Sequence, residues 1–145
     1  MGLKLGFEIE GEKQISAELG VTVDMLQDFS DPMSTAADIM MDAVEDNYDK
    51  RGSRFGGWAP RKPTMPPQTH PLLEKTGAMR RAMHKESGKD YAMVDNNDPK
   101  FPFHQSNQPR TKLPRRVMLM IDATMRDEIF KAFQLYVVKA LRGRR

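Results

Sequence analysis

Proline is distributed very unevenly along this chain of 145 residues, with nine of its 10 prolines between Pro60 and Pro114. Each proline removes a backbone donor and restricts the residue before it, which argues against helix interiors and central strands in these stretches. The sequence therefore predicts two extended proline-rich loops, the first arm at about residues 53–75 and the second arm at about residues 96–114. Long irregular segments in a small domain often carry function, and we expect neighbouring molecules to order these arms.

The residues before the first arm predict one strand and one long helix. From Leu3 to Ile9 apolar and polar residues alternate, which is the period of a strand with one face on a core. A helix is predicted to begin with Asp31 as its N-cap and Pro32 in its first turn. It is predicted to end before Gly52, which can adopt the left-handed conformation that closes a helix. Its apolar, methionine-rich stripe is expected in the core.

The rest of the chain predicts further elements of both kinds. These are a helix from about Thr76 to Glu86, strands at Lys89–Asp95 and Arg116–Ile121, and a last helix capped by Asp122 or Thr124 with an apolar stripe from Met125 to Leu141. The predicted fold class is therefore α+β, with a small antiparallel or mixed sheet packed against two long helices and with long proline-rich loops. At this length we expect a single domain over residues 1–145.

Charge is divided between the two parts of the chain. Residues 1–49 hold 12 acidic and 2 basic side chains, whereas residues 50–145 hold 21 basic and 8 acidic ones. Such a division lets one copy of the chain meet the next, or lets one face approach a polyanion. Folding can equally interleave the two sets into an ordinary mixed surface, so both interpretations stay open.

The sequence contains no pattern of a catalytic, cofactor-binding or metal site. With 0 cysteines it has no thiolate ligand or cysteine nucleophile, and none of its three histidines has a second one four residues away. Phosphate-binding glycine loops and nucleophile elbows are also missing from the sequence. We therefore expect a protein that is not an enzyme and uses no cofactor. Because no apolar run approaches the roughly 20 residues that span a bilayer, we expect a soluble protein without membrane contact.

Two segments raise the possibility of nucleic-acid binding. Residues 14–29 resemble the first helix and turn of a helix-turn-helix, and the alternative function is a small DNA-binding regulator that uses them. The lack of Arg and Lys between Lys13 and Lys50 opposes this function, because DNA phosphates repel the acidic residues of the segment. The basic tail is the second segment, with Arg142, Arg144 and Arg145 as candidate DNA-facing residues. Solubility and the dipole of the last helix explain the tail equally well, and both interpretations stay open.

A series of short motifs follows in a recognisable order. The motifs are Gly57-Trp58-Ala59-Pro60, the stretch from Leu72 to Arg80, Tyr91-Ala92, His104-Gln105 and Leu113-Pro114-Arg115-Arg116. Their order resembles the phage virion-morphogenesis family, also called tail-completion proteins, in which W-x-P-L, L-x-x-T-G-x-L-R, Y-A-x-x-H-Q-x-G and L-P-x-R-P-F-L are typical. The resemblance covers roughly residues 33–141. The chain departs from the pattern in the longer interval before His104, in the missing glycine after Gln105, and in Arg116-Val117-Met118 where R-P-F is usual.

The resemblance implies a structural protein of a tailed-bacteriophage virion, acting in tail completion at the neck where the head joins the tail. Such a head–tail connector or tail terminator would be made in the host cytoplasm and form a homo-oligomeric ring. Its partners would be its own copies, the head-side connector or adaptor, tail tube or terminator proteins, and packaged DNA without sequence choice. Rings are built from heterologous contacts, which suit arms that reach a neighbouring copy.

Seven residues in or beside the arms are the candidate contacts of such a ring. They are Trp58, Arg61, Lys62, His104, Gln105, Arg115 and Arg116. Trp58, the only tryptophan, would serve either as an interface anchor or as the centre of a satellite core under its own loop. Both interpretations of Trp58 stay open.

Overall fold

The structure, a computed structural model, describes residues 2–6, 28–106 and 113–142. Its elements are strand β1 (Gly2–Gly6), helix α1 (Ser30–Asp49), a 3-10 turn (Ser53–Phe55), helix α2 (Ala78–Arg81), strands β2 (Met83–Ser87) and β3 (Tyr91–Asn96), helix α3 (Phe101–Gln105) and helix α4 (Ala123–Arg142). The strands form one antiparallel sheet in the order β1-β3-β2. This architecture confirms the predicted α+β class. Among the described helices, none has the length and apolar character needed to cross a membrane.

The described residues fall into two compact units. The arm unit comprises residues 2–3, 41–84, 95–106 and 113–120, and the helical unit comprises residues 4–6, 28–40, 85–94 and 121–142. The boundaries pass through β1, α1, β2 and β3. The single domain expected over residues 1–145 stays a prediction.

Helix α1 begins earlier than the sequence predicts. The carboxylate of Asp28 accepts hydrogen bonds from the backbone N–H of Ser30 at 3.1 Å and from its hydroxyl at 2.6 Å. These bonds lower the pKa of Asp28. Asp31 is therefore not the N-cap as predicted, but lies with Pro32 inside the first turn, because the carboxylate of Asp28 already accepts from the N–H of Ser30, the first helical residue.

The end of α1 follows the prediction. Gly52 has a φ of 87°, in the left-handed region, and its N–H donates to the carbonyl of Asn47 at 2.7 Å. Of the three methionines expected on its core stripe, Met33 and Met40 are 0% exposed, whereas Met41 is only half-buried. The apolar pattern and the closing glycine thus predict the buried face and the end of α1. Its start depends instead on Asp28, which lies outside that pattern.

The helix expected from Thr76 to Glu86 is wrong beyond its first turn. Only Ala78–Arg81 is helical, and Met83–Ser87 forms strand β2 beside β3. Met79 and Met83 are both buried, as predicted, but a spacing of four residues fits one face of a helix and one face of a strand equally well. Pairing with β3 decides that Met83–Ser87 is a strand and not a helix. Strand β3 itself lies within the expected strand Lys89–Asp95, except for its last residue, Asn96.

The strand expected from Arg116 to Ile121 is also wrong, since residues 114–122 form neither helix nor strand. The side-chain amide of Gln105 forms the backbone hydrogen bonds that a neighbouring strand would otherwise form. Its Oε1 accepts from the N–H groups of Met118 at 2.8 Å and Leu119 at 3.1 Å, and its Nε2 donates to the Leu119 carbonyl at 2.6 Å. The middle of the apolar run is still buried, with Met118 at 0% and Leu119 at 5% exposure, whereas Met120 is exposed.

The first arm contains no helix or strand from residue 56 to residue 77. The second arm is interrupted by α3, so the prediction of a continuous loop is wrong over Phe101–Gln105. Pro102 is the second residue of this short helix, where a missing backbone donor has no intrahelical partner to lose. Residues 107–112 of this arm lie outside the described residues.

The helical unit is organised around the start of α4. Asp122 caps the helix, as predicted, because its Oδ1 accepts from the N–H of Met125 at 2.8 Å. Met125 and Ile129 are buried, whereas the predicted stripe is only half-buried from Ala132 onward. Of the segment with the helix-turn-helix resemblance, residues 14–27 lie outside the described residues, as do residues 7–9 of the expected first strand.

Candidate interface at the proline-rich arms

Trp58 links the first arm to the segment that follows the second. Its indole N–H donates to the carbonyl of Val117 at 2.8 Å, and its ring meets Tyr48 edge to face at 5.3 Å between centroids. Gly52 lies against the same ring, so closely that a Cβ there would overlap the indole. Half-buried in this way, Trp58 has the contacts of a satellite core under its own loop.

Arg116 makes the second link between the arms. It is 5% exposed, and its Nε donates to the carbonyl of Ala59 at 2.9 Å while Nη2 donates to that of Pro60 at 3.3 Å. Its backbone N–H donates to the carbonyl of His104 at 2.8 Å. Burial, followed by the charge of nearby Arg61, lowers the pKa of the guanidinium. A residue predicted as a surface contact is thus a buried connection between the arms.

Gln105 and Asn47 hold the same segment from two other sides. The carbonyl of Gln105 accepts from Nε of Arg115 at 3.1 Å, in addition to the three bonds of its side chain. Asn47, which is 0% exposed, donates to the Val117 carbonyl at 3.2 Å and accepts from the N–H of Phe55 at 3.0 Å. Sequence reasoning missed Asn47, although an amide beside Tyr48 on an apolar stripe was an available signal, because buried amides need partners.

Arg61 ties the first arm to itself. Its Nη2 donates to the carbonyl of His70 at 2.7 Å and its Nη1 donates to that of Gln68 at 3.3 Å. Nδ1 of His70 lies 2.9 Å from the carbonyl of Pro71 and 3.5 Å from Nη2 of Arg61, and it can donate to the carbonyl only in the forms of the imidazole that carry a proton on Nδ1. Lys62 is exposed and has no polar partner among the residues that the structure describes.

A cleft of about 170 Å³ opens in the arm unit. Its charged and titratable lining residues are His70, Lys75, Asp98, Lys100 and His104. Leu73, also in the lining, has a φ of 64°, a strained conformation for a residue with a side chain. Within residues 2–6, 28–106 and 113–142, no group of three or more His, Cys, Asp or Glu residues is placed to hold a metal.

Arg80 neutralises a cluster of acidic residues at the end of α1. It donates to Glu45 at 2.7 Å, to Asp49 at 2.7 Å and to Glu74 at 2.9 Å, and its guanidinium lies 5.2 Å from the ring centroid of Tyr48. Partial burial opposes the charge, but the bonds to the three carboxylates outweigh it and raise the pKa of the guanidinium. Helix α1 is thereby joined to α2 and to the last residues of the first arm.

Other acidic residues of α1 are paired with bases that follow in the chain. Lys50 and Arg54 bind Asp46 at 3.0 and 3.1 Å, and the hydrogen bond from Lys50 is the main cause of a lowered pKa for Asp46. In the helical unit, Lys85 binds Asp38. Four of the six acidic residues of α1 are therefore neutralised within their own unit. For this helix, the interleaved interpretation of the charge division applies.

Replacing Arg80 by methionine is expected to lower the free energy of unfolding by about 2 kcal/mol, because four charge-assisted hydrogen bonds are lost and three carboxylates then repel each other. The partial exposure of Arg80, 25% for its side chain, keeps the effect well below that of a fully buried charge. Urea unfolding at low and high NaCl measures it, and salt is expected to shrink the loss by screening. Arg81→Met, at an exposed neighbour without a described ion pair, is the control and should change little. Equal losses in both variants would contradict the role of Arg80.

The candidate DNA-facing residues are not among these contacts. Arg142 is exposed at the end of α4, in the helical unit, and its place in the last turn complements the helix dipole. Arg144 and Arg145 lie outside the described residues.

No family model matches the chain. Neither a curated protein nor a solved structure matches it.

Proposed function

We propose that the chain is a structural protein of a tailed-bacteriophage particle, acting at the neck or tail end as the subunit of a homo-oligomeric ring that completes the tail and helps join it to the head. The observation that carries the proposal is a set of contacts within the arm unit between three of the five resembling motifs, those that contain Trp58, His104 and Arg116. Tyr91-Ala92 lies in the helical unit. Trp58 and its neighbours Ala59 and Pro60 bind Val117 and Arg116, up to 59 residues away in the chain, and Arg116 in turn binds His104. Motifs that are individually weak thus act on one another.

The construction of the arms supports a role in assembly. Their backbone groups are held by side chains such as those of Trp58, Gln105 and Arg116, so that irregular segments have a defined shape without belonging to a helix or strand. On this scaffold Met65 is 95% exposed and Phe103 is 51% exposed. Exposed apolar side chains on shaped loops suit the heterologous contacts of a ring, in which one surface meets a different surface of the next copy.

The proposed partners follow from the same role. They are further copies of the chain, the head-side connector or adaptor, and tail tube or terminator proteins, in a virion assembled in the host cytoplasm. The proposal assigns no catalytic residue and no cofactor.

Met65→Asp tests the ring. We expect native mass spectrometry to show closed oligomers of the unchanged chain, and Met65→Asp to raise the concentration needed for assembly by about tenfold or more, because a charge replaces an apolar contact. The melting temperature of the subunit should stay the same, since the side chain is 95% exposed.

Leu135→Asp is the matched control, with the same chemical change on α4 at 70% exposure, and assembly should tolerate it. A chain that stays monomeric at every concentration, alone and with tail proteins, would contradict the proposal. A monomer or dimer that selects one DNA sequence would support the alternative regulator at residues 14–29.

A further inference from the structure

Positive charge is concentrated on the arms and their flanks without matching carboxylates. Residues 57–77, 98–106 and 113–120 carry six Lys or Arg and two acidic residues. The six, which we call the cationic surface, are Arg61, Lys62, Lys75, Lys100, Arg115 and Arg116. Of the two acidic residues, Glu74 is already paired with Arg80, which leaves Asp98. No member of the cationic surface forms an ion pair with a residue that the structure describes.

The charge is least compensated at Arg116. Its guanidinium is nearly fully buried, yet its described partners are the carbonyls of Ala59 and Pro60, and the neighbouring charge of Arg61 adds repulsion. Two of its five N–H donors are used in these bonds. Buried charges are normally paired, because removing an ion from water costs several kcal/mol. The arm unit therefore holds the charge of Arg116 beside that of Arg61 with no carboxylate bound to either among the described residues, and its positive charge stays uncompensated.

The members of the cationic surface are connected by contacts within the arm unit. Lys75 and Lys100 line the cleft together with His70, whose carbonyl accepts from Arg61. On the other side of the arms, Arg115 donates to the carbonyl of Gln105, next to His104 of the same cleft. Four members of the cationic surface are exposed, Lys62, Lys75, Lys100 and Arg115, whereas Arg61 is half-buried and Arg116 is buried.

We propose that the cationic surface binds the phosphodiester backbone of duplex DNA without sequence preference. Three of its four exposed members are lysines, which are depleted from the cores of protein interfaces and common in contacts with phosphates. Phosphate contacts require charge more than shape, which fits the three exposed lysines, whose ammonium groups have no polar partner among the described residues. This inference does not depend on ring formation, since a single arm unit carries all six residues. It also differs from the basic tail, whose Arg142 belongs to the helical unit.

The salt dependence of binding to a random-sequence duplex tests the proposal, measured by fluorescence anisotropy on the full chain. If the four exposed cations each neutralise one phosphate, the slope of log K against log[NaCl] should be about −4, and Lys62→Gln/Lys100→Gln should reduce its magnitude by about 2 and weaken binding at every salt concentration. Lys131→Gln/Lys139→Gln is the matched control, because it removes the same charge from exposed positions on α4. It should leave the slope unchanged.

Three results would overturn the proposal. Equal losses in the two double variants would show that only net charge matters, and a duplex that does not bind at low salt would exclude the site altogether. Displacement by polyglutamate as effective as displacement by DNA, at equal concentration of charge, would assign the surface to an acidic protein instead. Native mass spectrometry of Lys62→Gln/Lys100→Gln separates a failure of DNA binding from a failure of ring assembly. If the exposed lysines contact DNA only, the oligomers of this variant should be unchanged.

Discussion

Gln105→Leu is expected to lower the free energy of unfolding by about 4 kcal/mol, because three buried backbone groups lose their partner and each unsatisfied group costs about 1–3 kcal/mol. The side chain is 8% exposed, and its amide satisfies two N–H groups and one carbonyl of Met118 and Leu119. Leucine has a similar volume, so the loss would reflect polarity more than packing. Urea unfolding followed by circular dichroism measures the change.

Gln134→Leu is the control for this substitution, since Gln134 is exposed on α4 and no described contact depends on it. We expect a change within about 0.5 kcal/mol, as is usual for surface positions. A second variant, Gln105→Glu, loses the donor to the Leu119 carbonyl and buries a charge when ionised but regains a donor when protonated, so its loss should shrink as the pH falls. If Gln105→Leu is as stable as Gln134→Leu, the segment after the second arm does not need the amide.

Gly52→Ala should lower the free energy of unfolding by about 3 kcal/mol. Alanine in a left-handed backbone conformation costs about 1–2 kcal/mol, and the lost aromatic contact and the lost hydrogen bond of Trp58 cost about 1 kcal/mol each. The φ of Gly52 is 87°, and an added Cβ would overlap the indole of Trp58. The ring would have to leave both Tyr48 and the Val117 carbonyl. Thermal unfolding, with tryptophan fluorescence to report on the indole, measures the effect.

Gly56→Ala isolates the steric part of this prediction. Gly56 has a similar φ of 97°, but a Cβ there meets nothing within 4 Å. Its substitution should therefore give only the backbone cost, about 1–2 kcal/mol, with unchanged tryptophan fluorescence. Equal losses and equal spectra for the two alanine variants would show that the contact between Gly52 and Trp58 does not stabilise the arm unit.

The division of charge illustrates what a sequence alone leaves open. The acidic first part and basic second part of the chain suggested either contacts between copies or an ordinary mixed surface. Folding brings Arg80 to three carboxylates and Lys85 to Asp38, which neutralises much of α1. The positive charge that remains in the arm unit lies largely on the cationic surface. Counting acidic and basic residues in the two parts of the sequence does not reveal this clustering.

The candidate site shows the same limit at the level of single residues. The sequence selects Gln105 and Arg116 as contacts to other molecules, and their side chains bind backbone groups within the arm unit. Trp58, with two interpretations open from the sequence, makes the contacts of a satellite core. Asn47, which binds the same segment, was not selected at all. A motif gives residue types in order, whereas the partner of a buried amide or guanidinium is determined by the tertiary contacts around it.

The sequence by itself determined what local chemistry controls: the α+β class, the closing glycine of α1, the Asp122 cap of α4, and a first arm kept out of helices and strands by its prolines. These features depend on backbone conformations and side-chain periods that neighbouring residues set. Only the tertiary structure decided that Met83–Ser87 pairs as a strand and that the run after Arg116 does not. In both places the local pattern fitted more than one conformation, and hydrogen-bond partners distant in sequence made the choice: β3 in one case and the amide of Gln105 in the other.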